Sequence, residues 1–467
     1  MIPLPVVADR APVAPAQTSR PSSDGLFPRK IYVETYGCQM NVHDSERLLG
    51  LMAQEGYAPT GVPDDADLIV INSCSVRDKA EHKLLSAAGS MKRFKRKRSD
   101  VIVALAGCVA QQEGQRLLDR APHVDIVFGP DHIARFPELV ERVREAPGTR
   151  YAETEFFDRR GFSFPPLHAP DTKVSAYVSV MKGCDKFCSF CVVPMTRGRE
   201  VSRSYLEILE EVRTLVAAGA KEIVLLGQTV NSYGKKRTLG EIPFSELVQR
   251  VADVSGVERI RFTSPHPADF TPDQIEAFRT VEKLCPHMHL PVQSGSTRVL
   301  QAMRRGYSRE EYLEIVEAFR AAVPEAALTT DIIVGFPTET EAEFGETLSL
   351  LERVRYTSAF SFAYSERPGT KALELEPSVP EPERARRLRA LQDFQETITK
   401  SHLEAMRGKR FRVLVEGPSK TDPTRSSGRT PHNRVVHVDG LYPVGSTIDV
   451  EILEAFNHSA RGRVVER

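Results

Sequence analysis

Short apolar runs alternate with stretches whose apolar residues recur every three to four positions, first from Lys30 to Glu145 and again from Lys173 to about Met406. In the first region KIYVETYGC, DLIVINSC, DVIVALAGC and DIVFG (residues 125–129) have the pattern of strands, and Ser45–Glu55 that of a helix, as does a short stretch ending near Glu145. This alternation predicts an open parallel α/β sheet. In the second region six strands, AYVSVMKGC, EIVLLGQ, ERIRFTSP, HMHLPVQSG, ALTTDIIVGFP and SAFSFAYS, are each followed by a helical pattern such as SYLEILEEVRTLVAAG. Six recurrent βα units in place of eight predict a partial (β/α)6 barrel with a wide mouth; a doubly wound sheet is the alternative that pattern alone allows. A long Arg- and Glu-rich helix, Glu381–Met406, leads into FRVLVEG, NRVVHVDG, STIDVEILEAF and RGRVVE, a small antiparallel β-barrel.

The fold class is therefore α/β with a β-barrel appended. Five segments are expected: a disordered tail rich in Pro, Ala and Ser (1–28), an amino-terminal domain (29–146), a linker (147–172), the barrel-like core (173–403) and the terminal barrel (404–467). Phe156, Phe157 and Phe162 in the linker are expected to pack on a neighbour. No apolar run approaches the ~18 residues of a membrane span. The tail lacks the pattern of a signal peptide, and seven Cys, an odd number, point to a reducing, cytoplasmic setting with metal or redox use. With 63 basic and 63 acidic residues the net charge is zero, so affinity for nucleic acid has to come from local patches. MKRFKRKR (91–98), six basic residues around Phe94, is either a phosphate-contacting patch or a solvated helix end; residues 405–467 carry eleven Lys or Arg against seven Asp or Glu.

Cys184, Cys188 and Cys191 form a C-x-x-x-C-x-x-C loop after an apolar strand, with no fourth Cys or His in the next forty residues. Zinc modules bring four ligands in two close pairs, whereas three thiolates on a four-iron cluster leave one iron open. A degenerate zinc loop or three buried thiols are the alternatives. The loop resembles that of the radical S-adenosylmethionine (SAM) superfamily. The resemblance implies that SAM ligates the open iron and is cleaved to a 5'-deoxyadenosyl radical. Phe187 and Phe190 would shield the cluster from water, or simply pack.

Cys38, Cys74 and Cys108 each sit just past the carboxyl end of a predicted strand. In a parallel sheet those ends share an edge where ligands bind, which suggests a second three-thiolate cluster, or else three unrelated buried thiols. YGCQMNVHDSE, NSCSVRDKAEHK and AGCVAQQ resemble the amino-terminal domain of the methylthiotransferase family, in which these Cys hold an auxiliary 4Fe-4S cluster. Asn41, Asp44 and Ser45 are expected to cap the following helix, and His43 and His82 to pack or face solvent.

Further residues are expected at the barrel's mouth. Gly227 and Gln228 are placed near the methionyl end of SAM and Gly335 beside its adenine, with Asp331 nearby; His289, Gln293 and Ser294 supply structural hydrogen bonds. Cys285 precedes its strand and reads as a packing residue. Arg197 and Arg199 could pair with phosphate or the cofactor carboxylate, or with Glu200. GRTPHNRVVHV resembles the TRAM domain, an RNA-binding module; docking back onto the core is its alternative role.

On YGCQMN, GCDKFCSFCVVP, TRGREVSR, VNSYG, HLPVQSGS, TDIIVGFP and FAYSERPGT, the chain beyond residue 29 is identified as a member of the tRNA methylthiotransferase family. Thr229 and Met195 stand where Asn and Tyr are expected. The resemblance implies conversion of N6-dimethylallyladenosine at tRNA position 37, next to the anticodon, to its 2-methylthio derivative. It implies two 4Fe-4S clusters and two SAM molecules, one methylating sulfur at the auxiliary cluster and one activating carbon 2 of adenine. The implied partners are the tRNA anticodon stem-loop, an electron donor protein and iron-sulfur assembly or carrier proteins, with the chain a monomer off the membrane. The alternatives are sister enzymes acting on threonylcarbamoyladenosine in tRNA or on a ribosomal-protein aspartate, the latter expected to show GCPKN in place of GCQMN, and a noncatalytic iron-sulfur sensor that binds RNA.

Overall fold

A computed structural model describes residues 29–75, 80–157, 174–236, 241–457 and 459–465. The expected tail, Phe162 and the later part of the linker lie outside them. The chain divides into two compact units: Met1–Asp171 with Lys182–Asp185 and Val192–Val201, and Thr172–Met181 with Lys186–Cys191 and Ser202–Arg467.

The first unit is built on a six-stranded parallel sheet of β1 (Arg29–Tyr36), β2 (Tyr57–Pro59), β3 (Leu68–Ser73), β4 (Ile102–Gly107), β5 (Ile126–Phe128) and β6 (Tyr151–Glu153), in the order β2-β1-β3-β4-β5-β6. Every residue of β3 and β4 is buried, because a parallel sheet is covered on both faces. Ile69, Ile71, Val103 and Leu105 pack under Leu84, Ala88 and Met91 of the helix Ala80–Lys97. Leu68, Val70, Ile102 and Ala104 pack under Leu48 and Met52 of the helix Gln39–Gln54 and Leu139 of the helix Phe136–Glu145. From β1 the chain crosses to β2 on one side and then to β3 on the other, so strand order reverses between β1 and β3. At such a switch point the carboxyl ends of neighbouring strands leave a crevice.

Three expectations are corrected. The helix after β1 starts at Gln39 with Cys38 at its N-cap, not at Ser45, so Asn41, Asp44 and Ser45 are interior helical residues and cap nothing. Their polar groups serve tertiary bonds instead: Asn41 Nδ2 donates to Asn72 Oδ1 (3.1 Å), and Ser45 Oγ lies 2.7 Å from Thr35 Oγ1. Residues 151–153, expected in the linker, form β6 and pair with β5. Phe94 in the basic run is a core residue, 3% exposed. Lys95 pairs with Asp125 (2.6 Å), Lys97 with Asp64 (3.0 Å) and Arg98 with Asp67. Half of that basic run is therefore already neutralised, as befits a helix end. His43 is buried beside Arg47 and His82 is exposed. Phe157 packs on the His132 ring at 4.6 Å, whereas Phe156 is largely exposed.

The core strands are β7 (Ser175–Ser179), the two-residue β8 (Met181–Lys182) and β9 (Val201–Ser202), β10 (Glu222–Leu226), β11 (Arg259–Phe262), β12 (His287–His289), β13 (Ala327–Val334) and β14 (Ser358–Ala363). Parallel pairing runs β11-β10-β7 and β12-β13-β14, and a parallel bridge between Ile260 and Leu284 links the two halves. This is the open six-stranded arrangement that the βα repeats predict. On β13, Leu328, Thr330, Ile332 and Val334 are buried, while Asp331 and Ile333 are half-buried on the other face, in register with Phe360 and the exposed Phe362. Two of the helices, Arg309–Ala322 and Glu341–Val354, open on capping boxes, Ser308 with Glu311 and Thr340 with Glu343.

After the helix Glu381–Glu404 come β15 (Arg410–Pro418), β16 (Arg425–Arg429), β17 (Val435–Asp439), β18 (Thr447–Ala455) and β19 (Ser459–Val464), closed in the order β15-β16-β17-β19-β18. Its pairings are antiparallel except that β17 and β19 run parallel. β16, RSSGR, has no apolar residue to announce it. A Cβ at Gly428 would lie 2.4 Å from the Leu414 carbonyl oxygen, so glycine lets β15 approach.

The barrel docks on the amino ends of the core strands. Arg259 donates to the carbonyls of Arg429 (2.6 Å) and Arg412 (2.8 Å), and Arg261 to those of Pro431 (2.8 Å) and Thr430 (2.9 Å). Arg261 also pairs with Glu222 at 2.8 Å, both side chains nearly fully buried. GRTPHNRVVHV therefore makes the docking contacts. No helix among the described residues is long and apolar enough to cross a membrane. Removing one partner of a buried pair strands the other charge, so Arg261→Ala should destabilise the protein by roughly 3–5 kcal/mol in chemical denaturation, while Arg261→Met with Glu222→Leu should cost clearly less. Equal losses would show that the pair itself is not the source.

Candidate metal centres

Cys38, Cys74 and Cys108 follow β1, β3 and β4, three neighbouring strands at the switch point. Two glycines bring their segments together. Gly37 (φ +144°) leaves no room for a Cβ, which would sit 2.4 Å from Cys74 Cβ; a Cβ at Gly107 (φ +94°) would sit 2.3 Å from Asn72 Oδ1. Asn72 clamps the crevice by donating to Asn41 O and Ser45 Oγ, both at 2.9 Å, and the Cys38 thiol donates to Asn41 Oδ1 at 3.2 Å. The Cys38 thiol is lowered to about 6, first by its hydrogen bond with Cys74 and further by the charge of Arg197.

Arg197 comes from the short helix Val193–Arg197, which packs against the helix that Cys108 begins. It is 3% exposed and donates from Nη2 to Asp44 Oδ2 at 2.6 Å. Burial opposes its charge, but Asp44 and then the sulfurs of Cys108 and Cys38 outweigh burial and hold it protonated. Lys182, also buried, pairs with Asp131; burial pushes it down to about 8 against the pull of that carboxylate. Segments flanking the C-x-x-x-C-x-x-C loop thus bring two buried cations into the first unit.

Within the loop, the Cys184 amide donates to Gly198 O (3.1 Å) and the Cys191 amide to Cys188 O (3.0 Å). Arg199 Nε donates to Asp185 Oδ1 at 2.5 Å, so its bonded partner is Asp185, while that of Arg197 is Asp44. Ser189 ties the loop to the helix Thr297–Ala302 through Ala302 O (2.8 Å). Phe190 packs with Val299, Met303, Phe336 and Tyr364, whereas Phe187, at φ +48°, is 46% exposed. Lys186 pairs with Asp269 (2.5 Å). Arg305, buried, donates from Nη1 to the Cys188 sulfur at 3.4 Å. Among the described residues no three Cys, His, Asp or Glu gather as one metal ion would require. Each set offers three thiols, the donor chemistry of a four-iron cluster with one iron left open, where a structural zinc site takes four ligands.

The strand-end loops fare differently. Gly227 is required by packing, since a Cβ would lie 2.6 Å from Met181 Cγ; Gln228 beside it is half-buried. Gly335 (φ +67°) donates its amide to Glu339 Oε2 (2.6 Å), and its Cβ position is filled by Arg384, which accounts for the glycine without a ligand. Asp331 lies 3.5 Å from His289 Nε2, whose other nitrogen meets Thr329 Oγ1 at 3.0 Å. Gln293 holds φ +74° and donates its amide to Asp331 O, and Ser294 Oγ accepts from the Ser296 amide. For His289, Gln293 and Ser294 these are the structural duties expected. Cys285 is buried before β12, its thiol pushed up to about 11 by burial, consistent with packing. Thr229 is buried and Met195 is 42% exposed. Sequence reasoning misses Asn72, Lys182 and Arg305; NSC and MKGC place the first two beside cysteines, but nothing local marks Arg305.

Three segments match family descriptions: residues 30–129 "Uncharacterized protein family UPF0004", residues 178–351 "Radical SAM superfamily" and residues 404–465 "TRAM domain". A tRNA-2-methylthio-N(6)-dimethylallyladenosine synthase of Myxococcus xanthus is 48% identical over 443 residues, 94% of each chain. Its counterpart in Anaeromyxobacter dehalogenans is 48% identical over 460 residues, 96% of this chain and 97% of that one. Among solved structures, the radical S-adenosylmethionine methyltransferase TsrM of Kitasatospora setae covers 74% of this chain and 75% of its own with a TM-score of 0.56 at 14% identity, a likeness of fold. With nearly half of its residues identical to those of the two synthases from end to end, the chain belongs to the family of tRNA-2-methylthio-N6-dimethylallyladenosine synthases, enzymes whose central domain is of the radical SAM superfamily.

Proposed function

We propose that this chain adds a methylthio group to carbon 2 of N6-dimethylallyladenosine at position 37 of tRNA, with Cys38, Cys74 and Cys108 holding one 4Fe-4S cluster and Cys184, Cys188 and Cys191 a second that takes SAM. The observation that carries this reading is the crevice at the β1/β3 switch point, where three strand-end cysteines meet a buried arginine delivered by the segment just after the second triplet. When bound, the clusters and SAM supply the radical and the sulfur that no side chain can provide for an unactivated ring carbon.

The protein's own residues do the rest. Arg197 offsets the charge of the Cys38 and Cys108 sulfurs, Lys182 pairs with Asp131, Asn41 and Asn72 fix the strand-end loops, and Ser189 anchors the second triplet's loop to the helix behind it. Gly227, Gln228, Asp331 and Gly335 remain the proposed neighbours of SAM at the strand ends. The Gly335 amide serves Glu339, so its part is the close approach that a missing side chain allows. The anticodon loop presents bases that can be splayed from their stack. Arg407, Lys409, Arg410, Arg412, Lys420 and Arg463 are exposed on or beside the terminal barrel and suit the phosphate backbone. An electron donor protein and iron-sulfur carrier proteins would serve a monomer in the cytoplasm.

Anaerobic incubation with reductant, SAM and dimethylallyl-modified tRNA should give the 2-methylthio nucleoside by mass spectrometry; unmodified tRNA despite 5'-deoxyadenosine formation would exclude this substrate. Reconstituted protein should hold about eight iron and about eight sulfide per chain. Cys184→Ala, Cys188→Ala or Cys191→Ala should abolish SAM cleavage, whereas Cys38→Ala, Cys74→Ala or Cys108→Ala should leave cleavage without thiolation. Equal loss of both activities in both sets would refute the division of labour. Replacing Lys409, Arg410 and Arg412 with Gln should weaken tRNA binding and flatten its salt dependence by about one unit of slope for each phosphate no longer neutralised; an unchanged slope would place the RNA on another surface.

A further inference from the structure

Each cysteine triplet has one buried arginine beside it, but the two arginines differ in their company. Arg197 shares its charge with Asp44. Arg305 is 6% exposed, and among the described residues no carboxylate lies within ion-pair distance of it. Its donors are spread over neutral acceptors and one sulfur: Nε to Tyr307 Oη (3.0 Å), Nη2 to Pro291 O (3.0 Å) and Nη1 to Cys188 Sγ (3.4 Å). Tyr307 Oη in turn donates to Val292 O at 2.8 Å, so the guanidinium is fixed to the loop after β12 and has little freedom to turn away.

A buried cation without a counter-ion is costly, and the negative charge within reach of Arg305 is the one that collects at Cys188. Hydrogen bonds to cluster sulfurs and the net local charge are two of the levers that set an iron-sulfur reduction potential. Reduction adds one electron, and with it one negative charge, to the group that Cys188 holds. A positive charge at hydrogen-bond distance favours that state over the oxidised one. Arg197, by contrast, is paired with Asp44 at 2.6 Å as well as lying near sulfur.

We propose that Arg305 raises the reduction potential of the cluster held by Cys184, Cys188 and Cys191. This rests on the reading that Cys188 is a cluster ligand.

The test is a dithionite titration of the reconstituted full-length protein followed by electron paramagnetic resonance, tracking the component whose spectrum changes when SAM is added. In Arg305→Gln that component should titrate at a more negative potential, with iron content and the other component unmoved. Arg305→Lys, which keeps the charge but not the three-way fork, should fall between the two. An unshifted midpoint in Arg305→Gln at full iron content overturns the inference. If Arg305→Gln does not retain its iron, the neutral Arg305→Met decides, and a wild-type midpoint there overturns it. Cys188→Ala tests the underlying reading separately: loss of about four iron per chain supports Cys188 as a ligand, and full iron content refutes it.

Discussion

Sulfur that is to carry negative charge inside a protein has to find positive charge there too, and this constraint runs through both cysteine triplets. Strand ends of a parallel sheet supply backbone positions but little compensating charge, and burial alone pushes a thiol up, as it does at Cys285. At Cys38 the order is reversed by a hydrogen bond from its neighbour and by a guanidinium. The guanidinium is itself tolerable in the interior only because Asp44 holds it. Asp44, inside the helix and not at its start, is thereby committed to an ion pair.

The same requirement explains how the chain is partitioned. Lys182–Asp185 and Val192–Val201 belong with the amino-terminal sheet, while Lys186–Cys191 belongs with the core. The two segments that travel to the first unit are those carrying Lys182 and Arg197, and each meets a buried carboxylate of that unit, Asp131 or Asp44.

Much of this is legible in the sequence. The long buried strands announce themselves as apolar runs, and the six cysteines by their spacing and their places after strands. The features that stay hidden have too little pattern to be seen. β2 and β6 are three residues long, shorter than any period that can be recognised, and β16 is polar because its inward positions, Ser426 and Gly428, are small. The pattern starts the first helix six residues too late, because Asn, Asp and Ser near a helix start usually cap it, whereas here they face the crevice. Arg305 is remote in sequence from every motif, and its role depends on a fold that brings it 117 positions back to Cys188.

GRTPHNRVVHV resembles an RNA-binding stretch, yet its backbone carbonyls receive Arg259 and Arg261 of β11. The terminal barrel is thus moored at the floor of the core strands, while the loops proposed to meet SAM lie at their carboxyl ends. Four to five residues of strand separate the two levels, on the order of 15 Å at ~3.3 Å per residue. An RNA that touches the moored barrel and reacts at the open end has to bridge at least that span along the outside of the protein. The mooring arginines thereby fix the distance between the barrel and the strand-end loops, and that distance sets the span for any RNA that engages both.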